Sequence, residues 1–259
     1  MTTSISSHNL DGLIRLAGYE RAKLQYMKLI VRCALESLSY AEAKMADQWG
    51  LFCTKDGALR KIPKSKKIAK STKPALARPN ENAVTYELAH HVDEFLKALP
   101  AGHEYREVNF RFERPKWSRK LAGSKQKRVD LQYEGRYPQG PEFVIEAKPL
   151  FSKSDIEKEY LGDSGLGRFL RDEEPFTDAN LAALMGYVIQ TEFADWADRL
   201  KVAIASDTRC EAAVAVSPVN WREDLWSTRH SRAARTQPIW MLHLLVTYPE
   251  ATHPAVAKT

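Results

Sequence analysis

Cysteine is scarce in this sequence of 259 residues, which contains only three. Cys33, Cys53 and Cys210 are odd in number and far apart, which argues against a disulfide framework or a zinc site and for free thiols in a reducing compartment. No apolar run approaches the roughly 20 residues that a membrane-spanning helix requires. The first twelve residues lack a basic segment leading into an apolar one, so we expect no signal peptide and a cytoplasmic protein.

Positive charge is concentrated in two segments, although the net charge of the chain is only +6. Residues 55–78 contain nine lysines or arginines and one acid, and residues 114–128 contain seven and no acid. Such clusters bind the phosphate backbone of nucleic acids, because they neutralise phosphates and release counterions. A solubilising linker is an equal alternative for the first segment. The second segment, which ends two residues before Asp130, supplies six candidate phosphate contacts: Lys116, Arg119, Lys120, Lys125, Lys127 and Arg128.

The spacing of apolar residues predicts a helical N-terminal region over residues 1–52. Apolar side chains recur there every three or four positions, with Gly18 and Gly50 as candidate breaks. A basic linker or arm over residues 53–79 and a main domain over residues 80–259 would follow. The N-terminal helices would then form a separate subdomain, for dimerisation or for contact with DNA.

Two carboxylates and a lysine lie in neighbouring predicted strands. Glu146 and Lys148 alternate with apolar residues, so they would share one face of a strand at a distance of about 7 Å. Asp130 lies in the preceding strand, and the Gly- and Pro-containing turn at residues 134–141 would pair the two strands and bring Asp130 beside Glu146. Two such acids repel unless a cation lies between them, and Mg²⁺ prefers hard oxygen ligands.

This arrangement resembles the PD-(D/E)xK, or restriction-endonuclease-like, nuclease superfamily, in which one acid lies on a strand and a (D/E)xK triplet lies on the next. The resemblance covers residues 130–148 well and the following helix loosely. It implies that Asp130 and Glu146 hold Mg²⁺, with Mn²⁺ as a substitute, and that Lys148 positions the attacking water or stabilises charge on the phosphate. Val129 departs from the pattern, since the name-giving proline would stand there.

The resemblance also implies further metal ligands. The carbonyl of Ala147, on the same strand, is one candidate. In this superfamily the helix before the first strand sometimes contributes another acid, and Glu87 is the candidate in a helix that begins near Asn80 and ends at Pro100. Glu87 falls at the border of the apolar stripe of that helix. His91 is expected to be a hydrogen-bonded histidine at the edge of the core, not a ligand.

Two later segments, residues 167–169 and 185–190, are loosely similar to segments of restriction-like nucleases from bacterial antiviral systems. On that similarity, Arg168 would grip the scissile phosphate and Gln190 would orient water or DNA. A structural role is the alternative for each residue.

The predicted elements after residue 80 run in the order helix, three strands, helix, strand and one further strand. The predicted bounds are 106–114, 128–134 and 142–148 for the three strands, 178–200 for a long helix, and 211–218 and 238–248 for the last strands. The resemblance implies the same αβββαβ order. We therefore expect an α/β fold with a mixed central sheet and an N-terminal helical extension.

A second copy of the tripeptide Glu-Ala-Lys, at residues 42–44, provides an internal comparison. It lies in a helical pattern without a preceding strand or aspartate, so we interpret it as a solvated helix face. The copy that contains Glu146 could likewise be an exposed edge strand with an ordinary ion pair. An apolar strand normally excludes charge, however, because buried acids and lysines are rare unless they are paired or bound to metal.

The sequence therefore predicts a Mg²⁺-dependent endodeoxyribonuclease of restriction or antiviral defence. DNA is the expected substrate, with RNA as the alternative, and a second copy of the chain or a defence-system protein is the expected partner. The main competing hypothesis is a catalytically silent nucleic-acid-binding module or specificity subunit. A third is a structural protein that assembles through its N-terminal helices. The acids favour the enzyme, because a binding module has no need of buried acids that repel DNA.

Overall fold

The computed structural model describes residues 7–60, 78–115, 128–137, 140–171, 173–217, 226–232, 235 and 237–250. Within these ranges, no helix combines the length and the apolar character that crossing a membrane would require.

The N-terminal region is helical, as predicted. Its elements are a short strand, β1 (Ser7–Asn9), and three helices, α1 (Leu10–Leu16), α2 (Arg21–Asp47) and α3 (Trp49–Thr54). Gly18 lies between α1 and α2 with a φ of 86°, a left-handed conformation that glycine adopts without steric cost. Gly50 lies inside α3 and ends no helix, so the predicted break there is wrong.

One helix and three strands follow close to their predicted positions. They are α4 (Glu81–Ala98), β2 (Val108–Pro115), β3 (Arg128–Gly135) and β4 (Glu142–Pro149). Asn80 caps α4, because its side chain accepts a hydrogen bond from the backbone N–H of Asn82. Apolar and polar residues alternate in β2 and β3, and β4 is a short, largely apolar run after a turn with Gly and Pro, which is why the three strands could be located from the sequence.

The region after β4 differs from the prediction. It contains α5 (Lys153–Asp155), a π-helical turn (Ile156–Tyr160), α6 (Leu166–Leu170), β5 (Leu181–Ile189) and α7 (Phe193–Ser206). The single long helix predicted over residues 178–200 is therefore wrong, because its first half is a strand. Eight of the nine residues of β5 are buried, and periodicity does not separate a strand that is buried on both faces from a buried helix.

The last strands are β6 (Ala212–Ser217), β7 (Trp226–His230) and β8 (Ile239–Tyr248). The sequence predicted β6 and β8 but neither β7 nor β1. The eight strands of the described ranges form one sheet in the order β1-β6-β7-β8-β5-β4-β3-β2. The sheet is mixed, which confirms the expected α/β class. The neighbours β4, β5 and β8 are parallel, so their carboxyl ends meet at one edge, where open α/β sheets commonly bind ligands.

The N-terminal helices share the core of the sheet. One apolar cluster contains buried residues from α1, α2 and α4 together with Leu131 of β3 and Tyr248 of β8. A second cluster contains residues of α6 and α7, including Trp196, together with Val144 of β4. In addition, β1 pairs with β6 of the same sheet. The boundary predicted between residues 1–52 and residues 80–259 therefore does not separate two hydrophobic cores, because the apolar face of α2 is buried against the strands.

Gly186 of β5 is expected to tolerate a larger side chain poorly. It lies opposite Lys148 in the parallel ladder, and an added Cβ would come within 2.7 Å of Leu150 Cδ1 and 2.8 Å of Leu245 Cδ2. Gly186→Val should lower the free energy of unfolding by about 1 to 3 kcal/mol, because overpacking forces side chains out of their preferred rotamers. Urea unfolding would measure the change. Gly50→Ala is the control, since a Cβ there meets nothing within 4 Å, and equal stability of the two variants would contradict the prediction.

Candidate metal centre

Asp130 lies at the point where β3 loses backbone pairing on both sides. The ladder with β4 ends at Leu131. On the β2 side, Glu113 has a φ of 45° and the ladder skips the position opposite Asp130. Oδ2 of Asp130 instead accepts a hydrogen bond of 2.8 Å from the backbone N–H of Ala147. The side chain thus replaces a ladder bond, which holds the carboxylate against β4.

Glu146 and Lys148 lie on the same side of β4, as the alternation of strand side chains predicts. Nζ of Lys148 donates to Oε1 of Glu146 over 2.7 Å, and the two residues are only 8% and 5% exposed. The residues that alternate with them belong to the first apolar cluster: Phe143, Ile145 and Ala147. Lys148 lowers the pKa of both Asp130 and Glu146, and Asp130 raises the pKa of Glu146. The structure thus places the three predicted residues close enough to interact.

A third acid, Glu81, reaches the same centre from the first turn of α4. Its Oε1 lies 3.5 Å from Nζ of Lys148, and its Oε2 lies 3.7 Å from Nη2 of Arg60. The sequence reasoning missed Glu81. Acids are common in the first turn of a helix, because their negative charge is stabilised by the positive end of the helix dipole. In the sequence, Glu81 therefore looks like an ordinary helix-start acid.

Glu87, the acid of α4 that the sequence reasoning selected, lies elsewhere. Both of its carboxylate oxygens accept hydrogen bonds of 2.7 Å from Nζ of Lys55, and Oε1 also lies 3.8 Å from Nε2 of His91. Six residues of helix separate Glu87 from Glu81, which amounts to about 9 Å along the axis and about 240° around it. The structure therefore does not bring Glu87 to the predicted centre: its charge is balanced by Lys55, and the acid of α4 that contacts Lys148 is Glu81.

Burial raises the pKa of both strand acids. The pKa of Asp130 rises to about 6 through loss of solvent, although Lys148 and the N–H of Ala147 oppose the change. The pKa of Glu146 rises to about 8, through loss of solvent first and repulsion by Asp130 second. The ionised form of Glu146 is therefore unfavourable in the fold unless a nearby cation compensates its charge.

Lys148 stays charged in these surroundings. Burial alone would lower its pKa, but Glu146, Glu81 and Asp130 favour the ammonium form and raise the pKa to about 12. Three carboxyl groups thus lie around two cations, the Lys148 ammonium and the Arg60 guanidinium that contacts Glu81, so one acid is in surplus when all three are ionised. A structural ion pair needs one acid for each base, and a surplus acid is costly when it is buried. The centre is therefore short of positive charge, which a divalent cation would supply.

The oxygen atoms of this centre fit Mg²⁺, which binds one or two carboxylates and keeps several waters. Oε2 of Glu146 is buried and accepts no hydrogen bond from any described residue, so a lone pair is available for a cation. The N–H of Ala147 points toward Asp130, and the carbonyl of a strand residue points to the same side as its N–H. The candidate ligands are therefore Asp130, Glu146, Glu81 and the Ala147 carbonyl.

The acids of this centre do not form a closed cage. Among the described residues, the cluster of potential ligands whose atoms all lie within 4.8 Å of one another is a different one, His90, His91 and Glu94 on α4. Nδ1 of His91 and Nε2 of His90 lie 2.8 Å and 3.5 Å from the Glu94 carboxylate, whereas Nε2 of His91 is buried without a hydrogen-bond partner among the described residues. His91 is buried and hydrogen-bonded, as predicted. In the candidate metal centre, Lys148 contacts Glu81 and Glu146. A cation that keeps several of its waters does not require a preformed cage of protein ligands.

The basic residues predicted to contact nucleic acid are only partly within the described ranges. Lys116, Arg119, Lys120, Lys125 and Lys127 lie outside them. Arg128, at the start of β3, lies 3.3 Å from Glu113. The guanidinium of Arg168 lies 5.4 Å from the ring centroid of Phe176, which is a structural contact, and Gln190 is exposed at the end of β5.

The second Glu-Ala-Lys copy is not the solvated helix face that the sequence suggested. Glu42 is 6% exposed, and its Oε1 accepts hydrogen bonds of 2.6 Å from both the backbone N–H and the hydroxyl of Thr247 in β8. That prediction is wrong, because α2 lies against the sheet and turns this carboxylate toward a strand. The two copies still differ in their partners, since Glu42 bonds backbone and hydroxyl groups, whereas Glu146 faces other acids and a lysine.

In comparisons with known proteins, no family model, no curated protein and no solved structure matches the chain.

Proposed function

We propose that this protein is a divalent-metal-dependent nuclease that hydrolyses phosphodiester bonds of DNA, of the restriction-endonuclease-like type. The observation that carries the proposal is the cluster of three acids around Lys148, in which Glu146 is buried and its Oε2 has no hydrogen-bond partner among the described residues. Asp130, Glu146 and Glu81 converge on one ammonium, and the pKa of Glu146 is raised to about 8. Strongly perturbed carboxyl groups that share a site are more typical of catalytic centres than of structural ion pairs.

The order of elements supports the proposal. Helix α4, strands β2, β3 and β4, the helical segments over residues 153–170 and strand β5 follow one another along the chain. This is the αβββαβ order that the resemblance implies, although the second helix and the last strand have other bounds than those predicted. The first acid lies on the second of these strands and the Glu-Ala-Lys triplet lies on the third.

Each residue has a role in the proposed reaction. Asp130 and Glu146 would hold Mg²⁺, with Glu81 and the Ala147 carbonyl as further ligands. The bound cation would supply a water of lowered pKa and neutralise charge on the phosphate. Because the pKa of Lys148 is about 12, its side chain stays protonated at neutral pH. It therefore stabilises negative charge in the proposed reaction and does not act as a general base. Once Glu146 is neutralised, the ammonium can donate to the attacking water or to the phosphate.

One observation favours the competing hypothesis of a silent binding module. Lys148 is paired with Glu146 at 2.7 Å, so the centre has an internal ion pair without a cation. In a silent module this pair would be permanent. It leaves the buried Oε2 of Glu146 without a partner among the described residues, however, and for that reason we prefer the enzyme.

The first test is cleavage of supercoiled plasmid, linear duplex and single-stranded DNA, with structured RNA as a fourth substrate. We expect nicking or linearisation with Mg²⁺ or Mn²⁺ and none with EDTA. If DNA is bound but never cleaved, the silent module replaces the nuclease. If DNA and RNA are not bound even at low salt, both hypotheses fail and a structural role remains.

A further inference from the structure

Two arginines from different segments lie against one aromatic ring beside the candidate metal centre. The guanidinium carbons of Arg60 and Arg78 lie 6.0 Å and 5.2 Å from the ring centroid of Phe151. The backbone N–H of Arg60 donates to the carbonyl of Arg78 over 2.7 Å, next to an isolated bridge between Leu59 and Pro79. Backbone pairing therefore fixes the two cations near each other.

This arginine pair is connected to the metal centre through side chains. Arg60 lies 3.7 Å from Glu81, which in turn lies 3.5 Å from Lys148. Phe151 follows Lys148 by three residues, so at most about 10 Å of extended chain separates them. A phosphate at the arginine pair and a phosphate at Lys148 could thus belong to one short stretch of a polymer.

Acids of the described residues balance at most one of the two charges, since Arg60 contacts Glu81. Both arginines are exposed, and among the described residues no ion pair joins Arg78 to an acid. Two guanidinium groups near each other repel unless an anion lies between them, and their planar forks match phosphate oxygens. The sequence between them, residues 61–77, adds six lysines and no acid. A polyanion is the ligand that this charge distribution favours.

We propose that Arg60 and Arg78, positioned by Phe151, bind a backbone phosphodiester of the nucleic acid strand that enters the metal centre. The inference rests on the proposed function for the identity of the polyanion. Arg60 and Arg78 bind the phosphate, whereas Phe151 acts through them as a positioning residue, because it holds their guanidinium groups by cation–π contact.

Fluorescence anisotropy of a labelled 20-nucleotide duplex, with a single strand in parallel, tests the site. Binding is measured in EDTA over a range of salt concentrations, so that no cleavage is needed. Arg60→Gln with Arg78→Gln should reduce the slope of log Kd against log salt by about 0.7 for a single strand and about 0.9 for duplex, because the pair binds one phosphodiester and each phosphate contact contributes about that amount. Affinity at low salt should fall by at least tenfold.

Two further double variants control for charge and for folding. Arg60→Lys with Arg78→Lys should keep most of the slope and lose part of the affinity, since lysine keeps the charge without the planar fork. Arg199→Gln with Lys201→Gln removes the same charge from α7, where both cations also lie over aromatic rings, and should leave the slope nearly unchanged. Melting temperatures of all variants would show that they fold.

The possible outcomes distinguish a failure of this phosphate site from a failure of the proposed nuclease activity. Binding that is lost in Arg60→Gln with Arg78→Gln supports the site even if the wild-type protein never cleaves. Cleavage with an unchanged KM in that variant overturns the site and leaves the nuclease in place. A slope equal to that of the α7 variant also overturns the site, and so does a wild-type protein that binds neither DNA nor RNA.

Discussion

Lys148→Met is expected to lower the rate of metal-dependent DNA cleavage by about 100- to 1,000-fold, the usual cost of removing one stabiliser of transition-state charge. Within the described part of the chain, Lys148 is the basic residue that pairs with Glu146, and its pKa of about 12 keeps it charged. Its loss should not weaken binding of the divalent cation, because the three acids remain and one competing positive charge is gone. Single-turnover cleavage would measure the rate, and Mn²⁺ titration would measure cation binding.

The second Glu-Ala-Lys tripeptide provides the matched control for this variant. Lys44 has the same local sequence, but its ammonium lies 5.7 Å from the ring centroid of Tyr40 on α2, away from the acids of β3 and β4. Lys44→Met should therefore cleave at the wild-type rate. Full cleavage by Lys148→Met would show that its charge takes no part in the reaction. A parallel loss of cation binding would instead assign it to the structure of the centre.

Glu146→Gln is expected to raise the thermal stability of the metal-free protein and to abolish its stabilisation by Mg²⁺. The ionised carboxylate is unfavourable in the fold, because burial and Asp130 raise its pKa to about 8. A gain of about 1 to 2 kcal/mol would raise Tm by about 2 to 8 °C for a chain of this size. Differential scanning fluorimetry in EDTA and in Mg²⁺ would measure both effects without any substrate.

The pH dependence of this effect follows from the direction of the pKa shift. Below pH 4.5, the ordinary value for glutamate, Glu146 is protonated in both the folded and the unfolded chain and costs nothing. Between that value and about 8, the unfolded chain releases a proton that the folded chain keeps, so the stability of the wild-type protein falls as pH rises. The advantage of Glu146→Gln should therefore grow across this range and level off above it.

Glu42→Gln is the control for removing a buried carboxylate. Glu42 accepts two hydrogen bonds from Thr247, so its replacement should lower stability and leave the response to Mg²⁺ intact. If Glu146→Gln lowered Tm in EDTA as Glu42→Gln does, Glu146 would be a structural partner of Lys148 and not a metal ligand.

The central strands and the three charged residues on them could be predicted because their signal is local. In β3 apolar residues alternate with polar ones, and in β4 the two-residue spacing of Glu146 and Lys148 places them on one face. Asp130 could be placed beside them because a short turn limits how two consecutive strands pair.

Other parts of the centre depended on contacts that are distant in sequence. The choice between Glu81 and Glu87 depends on how α4 lies against β4 and on the position of Lys55, which already balances Glu87. The strand β5 could not be distinguished from a helix, since nearly every residue in it is apolar and its identity comes from pairing with β4 and β8.

By itself, the sequence determined the α/β class, the strands β2, β3 and β4, and the position of Glu146 and Lys148 on one face of β4, because strand patterning and residue type act over a few positions. Only the tertiary structure decided that α2 shares the core of the sheet, that Glu42 is buried and that Glu81 completes the centre. Burial, and the pKa shifts that follow from it, depend on which segments exclude water together, and that is a property of the whole packed chain.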